Sequence, residues 1–259
     1  MSQPNSVKTT VDHLLNGRVA LEQPHQGYRV AVDPVFLAAA VAAHSGDRIL
    51  DLGVGTGAAA LCLLARVPKI EVVGIEIDPL IADLAQQNAL RNNVHQRLHI
   101  FVGDIAAPPS SATRSLSDGF DHVMANPPYL VGEKFSAPHH AQKQLAHQES
   151  TADLAIFVKT AMTYLKPKGS LTLIHRADRL GDILSILTQK EMGSIVIYPL
   201  WPGRRRDGIC RDAKRILVQV IVGKKAPLRL AAGLTLHQAG GEYTPEAEAV
   251  LRGGTALLL

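Results

Sequence analysis

Residues 50–57, Leu-Asp-Leu-Gly-Val-Gly-Thr-Gly, place three glycines on alternate positions directly after an apolar run. Glycine has no Cβ and accepts positive φ, so this run predicts a buried strand, a tight turn and the start of a helix. In an α/β sheet such a turn lies at the carboxyl edge, where a ligand approaches the backbone closely. The segment therefore constrains the chain to an α/β fold with a ligand at this turn.

The rest of the chain alternates strand and helix patterns, which favours a Rossmann-like α/β fold, a mostly parallel seven-stranded sheet with helices on both faces. Asp33-Pro34 and Asp78-Pro79 predict N-capped helix starts. Residues 1–30 look polar and irregular. The predicted strands are 48–52, 71–77, 98–102, 120–125, 170–175, 194–198 and 215–223, and the predicted helices are 33–43, 57–66, 79–92, 152–165, 179–189 and 245–252.

Three ranges divide the chain: an N-terminal segment over 1–32, the α/β domain over 33–225 and a C-terminal tail over 226–259. A hydrophobic content of 46% is ample for a core in a chain of 259 residues. The longest apolar stretch, Val35 to Ala43, is far shorter than the roughly 20 residues of a membrane span. The polar N-terminus has no signal-peptide core, so a cytoplasmic protein is expected.

Neither cysteines nor histidines indicate a metal site. The chain has two cysteines, Cys62 and Cys210, in unrelated segments. His139, His140 and His147 form a histidine cluster without carboxylates at ligand spacing, so a solvated loop is expected there and no metal.

Positive charge is concentrated near the C-terminal end. Between Arg204 and Arg229 nine basic residues face two acids, a net of +7 in a chain of net charge +4. Such a stretch suits a phosphate-backbone partner, although on charge alone a solvated loop and the flanks of a strand are the better explanation. The candidate nucleic-acid-binding residues are Arg204, Arg205, Arg206, Lys214, Lys224 and Lys225.

Acidic residues follow three successive predicted strands. By itself the glycine motif leaves open a nicotinamide cofactor or S-adenosylmethionine (SAM). Asp51 lies in the first strand, Glu76 closes the second and Asp104 closes the third. This acidic rim suits a ligand with an ammonium, a ribose and an adenine but no phosphates, because a pyrophosphate disfavours a nearby carboxylate such as Asp51. Asp78 is expected to be a helix N-cap, and Asp121 a solvent-facing strand residue.

The tetrapeptide Asn126-Pro127-Pro128-Tyr129 follows the fourth predicted strand. Two prolines stiffen the turn and remove two backbone donors, which leaves a corner rich in acceptors. The Asn126 side-chain oxygen and the Pro127 carbonyl suit the two hydrogens of a planar amino group, and Tyr129 offers a stacking face. The motif alone is equally compatible with a simple turn.

Taken together, these motifs resemble the class I SAM-dependent methyltransferases over residues 33–224. The resemblance implies that Gly53, Gly55 and Gly57 flank the methionine part of SAM. It likewise implies that Asp51 binds the amino group of SAM, that Glu76 binds its ribose, and that Asp104 and Ile105 bind its adenine. Asn126 is implied beside the methyl group, and the tetrapeptide marks enzymes that methylate planar amino nitrogens, so Asn126, Pro127, Pro128 and Tyr129 are the expected catalytic residues.

The flanking segments resemble the bacterial tRNA-valine adenine N6-methyltransferase family. The segments concerned are 27–33, 215–218 with Lys224-Lys225, 236–237 and 241–246. The resemblance implies methyl transfer to adenine N6 in RNA, with tRNA near the anticodon as the expected partner and SAM as cofactor. Two alternatives are a protein glutamine N5-methyltransferase, which usually carries a longer N-terminal domain, and a non-catalytic RNA-binding module on the same fold.

Overall fold

Most of the strands form one sheet, whose order decides which loops meet. The computed structural model describes residues 8–25, 30–128, 153–188, 193–204 and 207–259. In the large sheet the strands are β3 (Arg48–Leu52), β4 (Glu71–Glu76), β5 (Leu98–Val102), β6 (Phe120–Ala125), β7 (Leu165–Arg176), β8 (Gly193–Trp201), β9 (Arg215–Val222), β10 (Arg229–Leu230) and β11 (Leu234–Thr235).

The sheet has the order β10-β8-β9-β7-β6-β3-β4-β5, with β11 also on β8. Strands β3 to β7 are parallel, while β9 runs antiparallel to both of its neighbours. The mostly parallel seven-stranded sheet is therefore confirmed. Two short strands from the range 226–259 extend it beside β8.

Helices cover both faces of the sheet, as predicted. One apolar layer joins α1 (Asp33–Ala40), α2 (Ala58–Arg66), α3 (Pro79–Arg91) and α7 (Pro245–Leu251). The other joins α4 (Thr113–Ser117), α5 (153–164) and α6 (Leu180–Thr188). No helix in the described part of the chain is both long and apolar enough to cross a membrane.

The N-terminal segment is not irregular, so that prediction was wrong. Strands β1 (Thr9–Leu14) and β2 (Val19–Pro24) form an antiparallel hairpin. Its turn takes positive φ at Leu15, Asn16 and Gly17. The polar residues on the half-exposed strand β1 hide the alternation by which a strand is read from sequence.

Two asparagines of α3 bind the hairpin. The Asn88 side chain accepts from Glu22 N at 2.7 Å and donates to Glu22 O at 2.8 Å. The Asn92 side chain likewise accepts from Ala20 N at 2.9 Å and donates to Ala20 O at 2.7 Å. Asn88 also donates to the carbonyl of Thr56 in the glycine loop, at 3.0 Å. The hairpin, α3 and the glycine loop are therefore tied together at Asn88.

Three aspartates had predicted local roles. Asp78 caps α3 as predicted, because its side chain accepts from Leu80 N and Ile81 N. Asp33 does not cap α1: Val32 occupies that position, and the buried Asp33 carboxylate is 2.7 Å from Nε of Arg215. Asp121 is not simply solvated, because it pairs with Lys166 at 2.9 Å and accepts from Arg48 N.

Candidate active site

The carboxyl ends of four parallel strands bring the predicted cofactor residues together. In the register, Leu52 pairs with both Ile75 and Ala125, and Glu76 pairs with Val102. Gly53, Gly103 and Asn126 therefore continue from neighbouring strand ends, beside the end of β4 at Glu76. The backbone joins them further, since Gly53 N donates to Ile75 O at 2.9 Å and Gly103 N to Glu76 O at 2.9 Å.

Asp51 is a buried carboxylate with an unsatisfied oxygen. Asp51 is only 2% exposed, and its Oδ2 atom has no hydrogen-bond partner among the described residues. Burial, together with the nearby Glu76 carboxylate, raises the pKa of Asp51 well above its usual range. A buried acceptor of this kind calls for a cationic donor, because an unpaired buried carboxylate is costly. The ammonium of SAM fits that requirement.

The glycine loop leaves room beside its backbone. Gly53, Gly55 and Gly57 all have positive φ, a backbone conformation that residues other than glycine rarely adopt. A Cβ at Gly55 would meet nothing within 4 Å, so open space lies over this residue, as close approach of a ligand requires. At Gly57, which precedes α2, a Cβ would lie 3.7 Å from Ala85 of α3. That distance is an ordinary van der Waals contact, so it is the positive φ, and not lack of space, that favours glycine at this position.

Glu76 is held by two backbone donors. Gly55 N donates to its Oε2 at 2.9 Å and Asp78 N to its Oε1 at 3.0 Å. Each carboxylate oxygen accepts more than one hydrogen bond, so Glu76 retains acceptor capacity for two ribose hydroxyls. Only the ribose role of Glu76 was predicted from the sequence, and not its bonds to Gly55 and Asp78.

Asp104 and Ile105 follow β5 and are exposed and half-buried, respectively. Asp104 Oδ1 accepts from Ala106 N at 2.8 Å, which folds the loop back on itself. The Ile105 carbonyl accepts from Thr160 of α5 at 2.9 Å. These bonds set the position of the loop predicted to bind adenine.

The turn after β6 places Asn126 half-buried, Pro127 buried and Pro128 exposed. Because Ala125 pairs with Leu52, Asn126 follows a strand end directly beside the glycine loop. Tyr129 lies outside the described residues, as do residues 26–29 of the N-terminal resemblance and the histidines at 139, 140 and 147.

Two further residues at the site were not identified from the sequence. Ile77, directly after Glu76, is 68% exposed, which is unusual for an isoleucine and provides an apolar surface beside Glu76. Asn88 is wholly buried and reaches Thr56 of the glycine loop. The exposure of Ile77 had no sequence signal, whereas Asn88 carried one: a polar residue on the core-facing side of a helix pattern.

The candidate nucleic-acid-binding residues do not lie together. Arg204 and Lys214 lie on the loop between β8 and β9, while Lys224 and Lys225 follow the far end of β9. All four are exposed. Arg205 and Arg206 lie outside the described residues.

The site as a whole combines a buried carboxylate, a glycine loop, a second carboxylate and an acceptor corner on adjacent strand ends. These residues can bind a cationic nucleoside and present a planar amino group beside it. No group of three or more metal-binding side chains occurs among the described residues.

Comparisons with known proteins agree with this chemistry. The profile of the methyltransferase small domain matches residues 31–187. A Porphyromonas gingivalis protein named tRNA1(Val) (adenine(37)-N6)-methyltransferase is 36% identical over 237 residues, which are 87% of this chain and 88% of that protein. A Vibrio cholerae protein named release factor glutamine methyltransferase is 30% identical over 180 residues, 66% of this chain and 60% of that protein. The crystal structure of a predicted O-methyltransferase from Agrobacterium tumefaciens has a TM-score of 0.69 and 26% identity, covering 87% of this chain and 98% of that one.

Proposed function

Because the chain belongs to the methyltransferase small-domain family, we propose that it methylates the N6 amino group of an adenine in tRNA, near the anticodon, in the cytoplasm. The observation that carries the proposal is the register of β3 and β6, which sets the acceptor corner at Asn126 beside the glycine loop and Asp51. The relative named for adenine N6 methylation of tRNA, which aligns over nearly the whole chain, supports this choice of substrate.

The cofactor residues hold and orient SAM. Asp51 would pair with its ammonium, Glu76 with the ribose, and Asp104 and Ile105 with the adenine. When bound, SAM supplies a methyl group on a positively charged sulfur. Holding the amino nitrogen in line with that methyl group is the main task left to the protein, and positioning of this kind lowers a barrier by about 7–11 kcal/mol at best.

Asn126 and Pro127 would supply that positioning. The Asn126 side-chain oxygen and the Pro127 carbonyl each accept one hydrogen of the target amino group. As the nitrogen gains positive charge these bonds strengthen, so they stabilise the transition state more than the bound substrate. The adenine must be unstacked to reach the corner, and stacking on Tyr129 would return about 1–3 kcal/mol.

The alternatives receive less support. A glutamine amide would fit the same corner, but the release-factor relative aligns over a smaller part of this chain than the tRNA relative does. A non-catalytic module would have no use for the buried Asp51, whose cost in stability falls when a cation binds the carboxylate.

The test is methylation of bulk bacterial tRNA by the purified protein with isotopically labelled SAM, followed by mass spectrometry of the nucleosides. We expect labelled N6-methyladenosine. Release factor protein serves as a parallel substrate. Label on its glutamine with none in tRNA would favour the alternative, and label in neither would refute the proposal.

A further inference from the structure

The four candidate basic residues that the structure describes, Arg204, Lys214, Lys224 and Lys225, divide between opposite edges of the sheet. We infer that RNA binds at the carboxyl edge only, on a surface formed by Trp201, Arg204, Arg211 and Lys214, here called the carboxyl-edge surface. Lys224 and Lys225 would then make no contact with the RNA. This inference rests on the proposed function and specifies where the RNA partner lies.

The strand register carries the inference. Arg215, the first residue of β9, pairs with Arg176 at the carboxyl end of β7 and with Leu200 near the end of β8. The loop from Trp201 to Lys214 therefore lies at the same edge as Asn126. Because β9 is antiparallel to β7, its last residues lie at the opposite edge: Ile221 pairs with Ser170, where the regular pairing of β7 with β6 begins. Lys224 and Lys225 follow that end.

Distances estimated from strand geometry separate the two groups clearly. Strand β8 is three strand spacings from β6, which is about 14 Å across the sheet, within reach of nucleotides that flank a base held at Asn126. Strand β9 has eight residues, so its ends are about 27 Å apart. Since charges are screened over about 8 Å at physiological salt, Lys224 and Lys225 contribute little to the potential at the site.

Charge at the carboxyl edge favours an anionic partner. From 202 to 215 the sequence has six basic residues and two acids, Asp207 and Asp212, a net of +4. Arg204, Arg211 and Lys214 are exposed, while Arg215 is engaged with Asp33. Exposed cations beside a proposed RNA-modifying site are suited to phosphate contacts.

Trp201 adds a stacking surface to this charge. It is 36% exposed, and its Nε1 donates to the Ala232 carbonyl at 2.9 Å. The ring is thus fixed by its polar end, while part of it remains accessible. An exposed aromatic ring beside cations is the arrangement that single-stranded nucleic acid uses for base stacking. A single-stranded loop of tRNA is therefore the occupant that this surface fits best.

Two double variants test the electrostatic part. Arg211→Gln with Lys214→Gln removes two charges from the carboxyl edge, and Lys224→Gln with Lys225→Gln removes two from the other edge. RNA affinity is measured by anisotropy with a labelled anticodon stem-loop of tRNA(Val) over a salt series. We expect the first double variant to bind about tenfold more weakly, with a salt slope reduced by about 1.4–1.8, and the second to match the wild type. Equal effects would overturn the inference.

Trp201 is the only tryptophan in the chain, so its fluorescence reports directly on this surface. We expect the stem-loop to quench it. Trp201→Leu should weaken binding about tenfold, whereas Trp201→Phe, which keeps an aromatic ring, should weaken it less than about threefold. Both variants lose the bond to Ala232, so equal losses would indicate a structural role only. Binding without quenching would also refute the stacking role.

The outcomes separate this inference from the proposed function. If the wild type does not methylate tRNA, the proposed function fails. If it does methylate tRNA but both double variants behave alike, the catalytic proposal stands and the carboxyl-edge surface fails.

Discussion

Gly55 N donates to Oε2 of Glu76 at 2.9 Å, so the loop after β3 and the acid that ends β4 fix each other. Because the opposite oxygen accepts from Asp78 N, the same carboxylate also sets the entry into α3. Glu76 thus joins three elements at the point where a ribose would bind, and loop geometry and cofactor affinity should change together when it is removed.

Replacing Glu76 with alanine should therefore weaken SAM binding on the order of a hundredfold, since two hydrogen bonds to a charged group contribute about 1.5–3 kcal/mol each at most. Calorimetric titration with SAM measures it. Glu71→Ala is the matched control, because Glu71 is the exposed acid at the other end of the same strand. Equal affinities in the two variants would contradict this role of Glu76.

Asp51→Asn should affect stability and binding in opposite directions. Burial, and secondarily Glu76, raise the pKa of Asp51, so the folded protein without cofactor binds more protons than the unfolded chain and loses stability as pH rises. The variant removes this cost and should unfold at a higher temperature without SAM. It should also bind SAM about ten- to a hundredfold more weakly, because the charged partner of the ammonium is lost. Thermal unfolding with and without SAM checks both effects, and a lower unfolding temperature without SAM would refute the argument.

Asn126→Ala should lower turnover by several tens-fold or more, while SAM affinity changes less. One hydrogen bond that strengthens as charge develops contributes about 1.5–3 kcal/mol. Single-turnover methylation of tRNA gives the rate, and calorimetry on the same preparation gives the affinity. Unchanged turnover would remove Asn126 from the catalytic role.

Asn88→Ala should destabilise the protein by about 2–4 kcal/mol, because it leaves buried backbone groups of Glu22 and Thr56 without partners. Asn92→Ala is the matched control on the same helix and should cost about half as much, since Asn92 is less buried. Urea unfolding measures both. A smaller loss for Asn88→Ala than for Asn92→Ala would contradict the central position of Asn88.

His175 should make the protein sensitive to acid. Burial, and then the Arg179 charge, lower the pKa of His175 to about 4. Between pH 6.5, about the ordinary pKa of histidine, and pH 4, the unfolded chain takes up a proton that the folded protein excludes. The free energy of unfolding therefore falls as pH falls, by roughly 3 kcal/mol at most. Urea unfolding at pH 7 and pH 4.5 measures this loss. His175→Gln should reduce it, and an undiminished loss in that variant would assign it to other groups.

Much of the fold follows from local patterns, and its exceptions have physical reasons. The glycine loop, the seven principal strands and the Asp78 cap are local signals and were predicted. The start of β7 was predicted wrongly, at residue 170. The strand begins at Leu165, since the missing donor of Pro167 is tolerated where the pairing with β6 is irregular, between Phe120 and His122.

The individual residues of the candidate site were predicted from the sequence, but the hydrogen bonds that join them were not. Asp51, Glu76 and Asn126 could be placed because each follows or ends a strand. The bond from Gly55 to Glu76 and the pairing of Arg215 with Asp33 join residues 21 and 182 positions apart, which no local pattern reports. That Lys214 rather than Lys224 lies at the edge of Asn126 depends on β9 being antiparallel to β7, and strand direction is a property of the assembled sheet.

The hydrogen bonds from Asn88 and Asn92 to the N-terminal hairpin occupy part of a strand edge. Asn88 and Asn92 are one helical turn apart, about 6 Å, close to the roughly 6.8 Å between Ala20 and Glu22 along β2. Their amides therefore match the backbone of β2 as a neighbouring strand would. A hairpin edge with unpaired backbone groups can pair with strands of other molecules. On the β2 side, the two asparagine side chains bind backbone groups that such a strand would use.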